Sequence, residues 1–158
     1  MSLAYILGMT THTYATHLTW SGSTGAGIRD YSREHEVTAP PALTGLRLSA
    51  DPAFRGDPAL LNPELLLVAA ASSCQLLSFL AVAARAGVDV VGYADEAEGF
   101  MDDARAPARI SRITLRPRIT TGADPEQVAR LVHQGHEQCY IANSLSTEVV
   151  VEPTVVAP

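Results

Sequence analysis

The sequence predicts an α+β domain in which mainly antiparallel sheet surrounds buried central helices. Three observations carry that expectation. Leu65 to Ala84 is a twenty-residue run without a charge, opened by the helix-start pattern Asn62-Pro63-Glu64. Several stretches alternate apolar and polar residues with the two-residue period of a strand. A second helix signature, Asp124-Pro125-Glu126-Gln127, stands late in the chain and has the form of a capping box. The order ββ(β)αββαβ belongs to an α+β domain, not to a doubly wound parallel sheet.

Met1 to Thr11 carries no element signal and is expected to be a loose N-terminus. His12 to Trp20 alternates, with Tyr14, Thr16, Leu18 and Trp20 on one face, and predicts a strand. Ser21 to Gly27 is a turn rich in glycine and serine. The strand expected next, Ile28 to Val37, sets Asp30, Ser32, Glu34 and Glu36 toward water and Tyr31, Arg33, His35 and Val37 inward. An arginine and a histidine on an inward face are unusual, although long side chains can snorkel from an edge strand. Thr38 to Leu61 contains Pro40, Pro41, Pro52 and Pro58 and leaves room only for a short strand near Leu46 to Ser49. A long irregular stretch of this kind points to a site or a partner.

The uncharged run is apolar on every side, which predicts a helix buried all round and stopped near Gly87. Twenty such residues could also span a bilayer. Ser72, Ser73, Gln75 and Ser78 lie inside the run, alanine outweighs leucine, and no basic or aromatic anchors flank it, so no membrane span is expected. Val88 to Met101 follows as a strand with a hairpin tip at Asp102 to Pro107. In Arg109 to Thr120, Ile113, Leu115, Pro117 and Ile119 face in while Arg112, Thr114, Arg116 and Arg118 face out. Pro117 lacks a ladder donor, which predicts an edge or a bulge. On the second helix Val128, Leu131, Val132, Gly135 and Cys139 share one face. Glu148 to Val156 closes the chain as a strand.

At 158 residues the chain is expected to form one domain over 1–158, with 47% hydrophobic and 18% charged residues. A net charge of −6 with scattered basic residues argues against nucleic-acid binding. The first residues show neither the basic start nor the cleavage site of a secretion signal, so a cytoplasmic location is expected. There, two cysteines are more readily a redox pair or inert core residues than a structural disulfide. Cys74 and Cys139 both fall on inward helix faces, which makes contact between them plausible. Two idle buried thiols remain the alternative at this level. His136 and Cys139 with Cys74 are too few for a metal site, and no C-x-x-C motif is present.

Asn62-Pro63-Glu64, the ten-residue step from Glu64 to Cys74, and His136-Glu137-Gln138-Cys139-Tyr140-Ile141 together resemble the OsmC/Ohr family of peroxide-reducing proteins. Thr19-Trp20-Ser21-Gly22 agrees with it, and the resemblance covers Thr13 to Pro153. It implies an intertwined homodimer with sites at the subunit interface, acting as a thiol-dependent reductase of organic hydroperoxides. Cys74 would be the peroxidatic cysteine, Cys139 the resolving one and Glu64 the carboxylate that holds the activating arginine. Arg55 is the first choice for that arginine and Arg33 the second, with Arg29 a neighbour of the latter. No cofactor and no metal are implied, only an external dithiol reductant, which in relatives is dihydrolipoamide or a similar thiol. The alternative within the same fold is a non-catalytic member that binds a small molecule or senses redox state.

One helix rises about 15 Å over ten residues, too far for Glu64 to adjoin Cys74. A break is therefore expected near Ala71 to Ser73, placing Cys74 in the first turn of a new helix, where the dipole would favour its thiolate.

Overall fold

The computed structural model describes residues 10–104 and 106–158. The N-terminal segment expected to be loose lies outside them except for Thr10 and Thr11, which are exposed and belong to no element. Two compact units gather the chain, Met1–Leu61 and Asn62–Pro158.

In the first unit β1 (His17–Thr19), β2 (His35–Thr38) and β3 (Leu46–Leu48) form an antiparallel sheet in that order. The first two strands are shorter than their patterns predict. The Arg33 guanidinium explains the second case: it donates to the carbonyls of Tyr31 and Ile28 and lies 3.8 Å over the Tyr31 ring. Those carbonyls are engaged by a side chain, and the segment before His35 folds back on itself instead of pairing. The predicted face survives even so, with Tyr31, Arg33, His35 and Val37 half-buried. A 3-10 turn at Pro52–Phe54 is closed by Asp51, whose side chain accepts from the Ala53 N–H. Gly56 then passes so near Ala50 that a Cβ would lie 1.6 Å from its carbonyl oxygen, which makes glycine obligatory there.

The second unit has two three-stranded sheets. One is ordered β4 (Val90–Asp95), β7 (Pro117–Thr121), β9 (Thr154–Val156); the other is β5 (Glu98–Met101), β6 (Ile110–Leu115), β8 (Glu148–Val151). In each, one pairing is antiparallel and one parallel. The three long strands expected from the sequence are each divided in two, and each passes from one sheet to the other at a common corner. The corner has identifiable chemistry. The Arg116 N–H, released from the ladder, donates to Asp95 Oδ1 at 2.7 Å. The Arg116 guanidinium reaches Glu98 at 2.8 Å and Glu152 at 3.3 Å, and the Glu152 N–H donates to the Leu115 carbonyl. Arg116 therefore ties all three crossings, more than the solvated face expected of it. Pro117 lies on neither an edge nor a bulge. It is the first residue of a central strand, where its missing donor costs nothing. Thr114 is buried, against the alternation.

Helix α1 (Pro63–Arg85) crosses this corner. Asn62 caps it by accepting from the Leu65 N–H, and Gly87 at φ 69° ends it. Its N-terminal half packs Val68 and Ala71 on Ile113 and Leu115 of β6. Its C-terminal half packs Phe79, Val82 and Ala83 on Ile119 and on Val128, Leu131 and Val132 of α2 (Pro125–Glu137). Burial is confined to one stripe. Leu65, Leu77 and Leu80 on other faces are 48%, 64% and 36% exposed, so the expected all-round burial is not reached within one chain. The two helices meet at backbone distance, and a Cβ on Gly135 would lie 2.8 Å from Phe79 Cα and 2.9 Å from its nitrogen.

Because the neighbour at Gly135 is backbone, a side chain there must push the helices apart. Gly135→Val is expected to lower unfolding free energy by about 1–3 kcal/mol in chemical denaturation, the usual cost of overpacking. Stability equal to wild type would show that the pair can separate freely.

Candidate functional site

Between the two apolar halves of α1 lies a polar waist. Ser72 Oγ donates to Asp95 Oδ2 and so fastens the helix to the sheet corner. Gln75, completely buried, donates through Nε2 to the Val132 carbonyl at 3.2 Å and accepts through Oε1 from His136 Nδ1 at 3.2 Å. Cys74 stands between these two anchors and is half-buried.

Cys139 arrives by a different route from the one expected. Helix α2 stops at Glu137, and Cys139 is the N-cap of the short helix α3 (Tyr140–Ser144) instead of a member of α2. Asn143 Nδ2 caps the end of α2 by donating to the Glu137 carbonyl, and the Cys139 N–H still bonds the His136 carbonyl at 3.1 Å. Periodicity carried the face onward past Gln138, whereas Asn143 was the available sign that the helix ends. The side chain is inward in either case: Cys139 is 1% exposed, and its Sγ accepts from the Ala142 N–H at 3.5 Å.

The two thiols are free and lie close enough for each to shift the other's ionisation. Burial raises the Cys74 pKa. The Ile141 N–H, the Cys139 thiol, the Tyr140 N–H and the Ser78 hydroxyl together outweigh that, so it lies below the ordinary thiol value. Cys139 is pushed the other way, first by burial and further by Cys74. Of the two, Cys74 therefore ionises first and is the better nucleophile. Burial and the neighbouring His133 hold His136 below its usual value, so it is neutral at pH 7. In the sequence Gln75 is one polar residue within the uncharged run and His136 one member of the motif around Cys139. Their mutual bond spans 61 residues and had no local sign.

The expected break in α1 is absent. The helix runs unbroken from Pro63 to Arg85, because Ser72 spends its hydroxyl on Asp95 instead of recapping a second helix. Cys74 therefore lies mid-helix, and Glu64 is about 15 Å along the axis from the Cys74 of its own chain. Glu64 Oε2 is buried without a hydrogen-bond partner among the described residues. Arg55 is exposed in the left-handed conformation at φ 66°, and no bond engages its side chain among those residues. Arg33 spends its guanidinium on Tyr31 and Ile28. No cluster of three or more His, Cys, Asp or Glu among the described residues could hold a metal.

A family model described as OsmC-like protein matches residues 56–154, well over half of the chain. The chain belongs to the OsmC family. A solved OsmC-like protein of unknown function from Vibrio cholerae is 30% identical, with TM-score 0.81 over 91% of this chain and 100% of that one. An organic hydroperoxide resistance protein OsmC from Legionella pneumophila is 20% identical, with TM-score 0.71 over 92% and 98%. An organic hydroperoxide resistance protein from Elizabethkingia anophelis is 18% identical, with TM-score 0.71 over 95% and 99%. The last two share the fold. No curated protein matches. The α+β architecture and the OsmC-like resemblance drawn from the Asn-Pro-Glu and cysteine spacing are both borne out.

For this OsmC-family member, alkylation should distinguish the thiols. Cys74 should reach half its maximal rate below the ordinary thiol pKa of about 8.5, and Cys139→Ala should move that midpoint upward by removing a donor to the thiolate. Identical profiles in the two proteins would show that Cys139 does not bias the proton.

Proposed function

We propose that this protein is a two-cysteine peroxidase that reduces organic hydroperoxides to alcohols. The observation that carries the reading is the proximity of the Cys74 and Cys139 thiols, with Cys74 the more readily ionised of the two. An ordinary thiol is only a few per cent ionised at pH 7, and attack on an O–O bond needs thiolate. The Cys74 thiolate attacks the terminal peroxide oxygen and the O–O bond breaks. The alkoxide takes a proton and leaves as alcohol, and Cys74 becomes a sulfenic acid. The Cys139 sulfur then displaces the hydroxyl as water and forms a disulfide, which a dithiol reductant resets by exchange. That cycle calls for a reducing compartment, consistent with the cytoplasm.

The remaining roles belong to the same proposal. Glu64 is too far along its own helix to serve its own Cys74, and it carries a buried oxygen in need of a donor. A homodimer in which the partner's Glu64 serves the site answers both facts, and Leu65, Leu77 and Leu80 offer the apolar surface to form it. Arg55 takes the role of activating cation: its guanidinium is uncommitted and its backbone is held in a conformation that costs energy, as functional residues often are. Arg33 is second because its donors are already engaged.

Cumene hydroperoxide should be consumed with dihydrolipoamide as reductant and not by Cys74→Ser. One equivalent of peroxide should remove two titratable thiols per chain. No turnover with any dithiol would sink the enzyme reading. In Arg55→Ala, Cys74 oxidation at pH 7 should slow by about ten- to a hundredfold, equivalent to losing a charged hydrogen bond; an unchanged rate would exclude Arg55.

A further inference from the structure

The waist of α1 contains a buried amide that the proposed chemistry does not use. Gln75 is fully buried, and burying an amide is costly unless its groups are paired. Its two bonds both go to the last turns of α2, one to the Val132 carbonyl and one to His136 Nδ1. One turn further along, the helices touch at backbone distance through Phe79 and Gly135. From His136 the chain reaches Cys139 in three residues, with the Cys139 N–H bonded to the His136 carbonyl. Gln75 is also the immediate neighbour of Cys74. One side chain, next to the first sulfur, therefore grips the turn that delivers the second.

We propose that Gln75, acting through His136, is a positioning residue for disulfide closure: it holds the end of α2 in register so that Cys139 meets Cys74. The proposal rests on the two-cysteine reading, and it concerns the second half of that cycle. In closure, Cys74–SOH and Cys139–SH give a Cys74–Cys139 disulfide and water. The S–O bond breaks, the S–S bond forms, the sulfenic sulfur is reduced by the thiol sulfur, and the thiol proton leaves with the hydroxide. A disulfide needs its sulfurs at 2.03–2.05 Å with a restricted dihedral, so a loosened α2 terminus penalises closure directly. The competing fate of the sulfenic acid is a second peroxide, which yields sulfinic acid and alcohol. Gln75 thereby favours the reversible product over the irreversible one.

The test measures closure with and without peroxide. In wild type, Gln75→Leu, His136→Leu and the double variant, the equilibrium of the Cys74–Cys139 pair with dithiothreitol gives the effective concentration of one thiol at the other. This measurement needs no peroxidase activity, so it stands even if the enzyme reading fails. Both single variants should lower the effective concentration at least tenfold, and the double variant should be no worse than Gln75→Leu, which already removes the Gln75–His136 bond along with the bond to Val132. With excess cumene hydroperoxide, mass spectrometry should show the ratio of disulfide to sulfinic acid falling by a similar factor in each variant that folds. Should Gln75→Leu fail to fold, His136→Leu, at a partly exposed site, carries the same readouts. An effective concentration within twofold of wild type, or losses that add in the double variant, would overturn the proposal. Wild type that pairs normally with dithiothreitol but ignores peroxide would instead defeat the enzyme reading alone.

Discussion

The crossing of α1 over α2 is the constraint on which the second unit depends. Phe79 and Gly135 bring the two backbones together, and Ile119, Val128, Leu131 and Val132 complete the apolar seal around them. Contact that close leaves little freedom to slide or rotate, because packed interiors have few voids to absorb a shift. Whatever α2 carries at its end is thus placed relative to α1 by packing, before any polar contact acts. The Gln75 bonds then select one register among the few that packing permits, since an amide buried without partners would be costly.

A second constraint explains why α1 has a polar middle. Each half of the helix has its own sheet to pack on, and between the sheets lies a corner where three strands change partners. Apolar side chains have less to bury against at such a point, while polar ones meet freed backbone and charged groups. Asp95 accepts from both Ser72 and the Arg116 N–H, joining helix and corner through one carboxylate. Cys74 is the group at this level whose chemistry is open, and a thiol can act where a serine hydroxyl is already committed. Its neighbours are hydrogen-bond donors, which favour an anion on it despite partial burial.

Much of this was legible in one dimension. Asn62, Pro63 and Glu64 set the start of α1, Asp124 and Pro125 set the start of α2, and the Asn62 and Asp124 side chains each accept from a first-turn N–H as their types suggest. Inward faces were readable wherever a period held, as in Ile113, Leu115 and Ile119, all fully buried. Strand lengths were less readable. Val88 to Met101 reads as one strand, yet it serves two sheets and changes partners at the adjacent acids Asp95 and Glu96. Thr114 and Cys139 show the same limit: a period extrapolated through a corner or past a helix end assigns the right chain to the wrong surroundings.

By itself the sequence determined the element types, the helix starts and the presence of two cysteines on surfaces that turn inward, because caps, charges and apolar periods act over a few residues. Tertiary structure alone decided that α1 runs unbroken and that Gln75 holds His136. Those outcomes depend on groups more than twenty residues apart competing for the same donor, acceptor or space. Ser72 could have capped a new helix. Asp95 was close enough to claim its hydroxyl, and the helix continued.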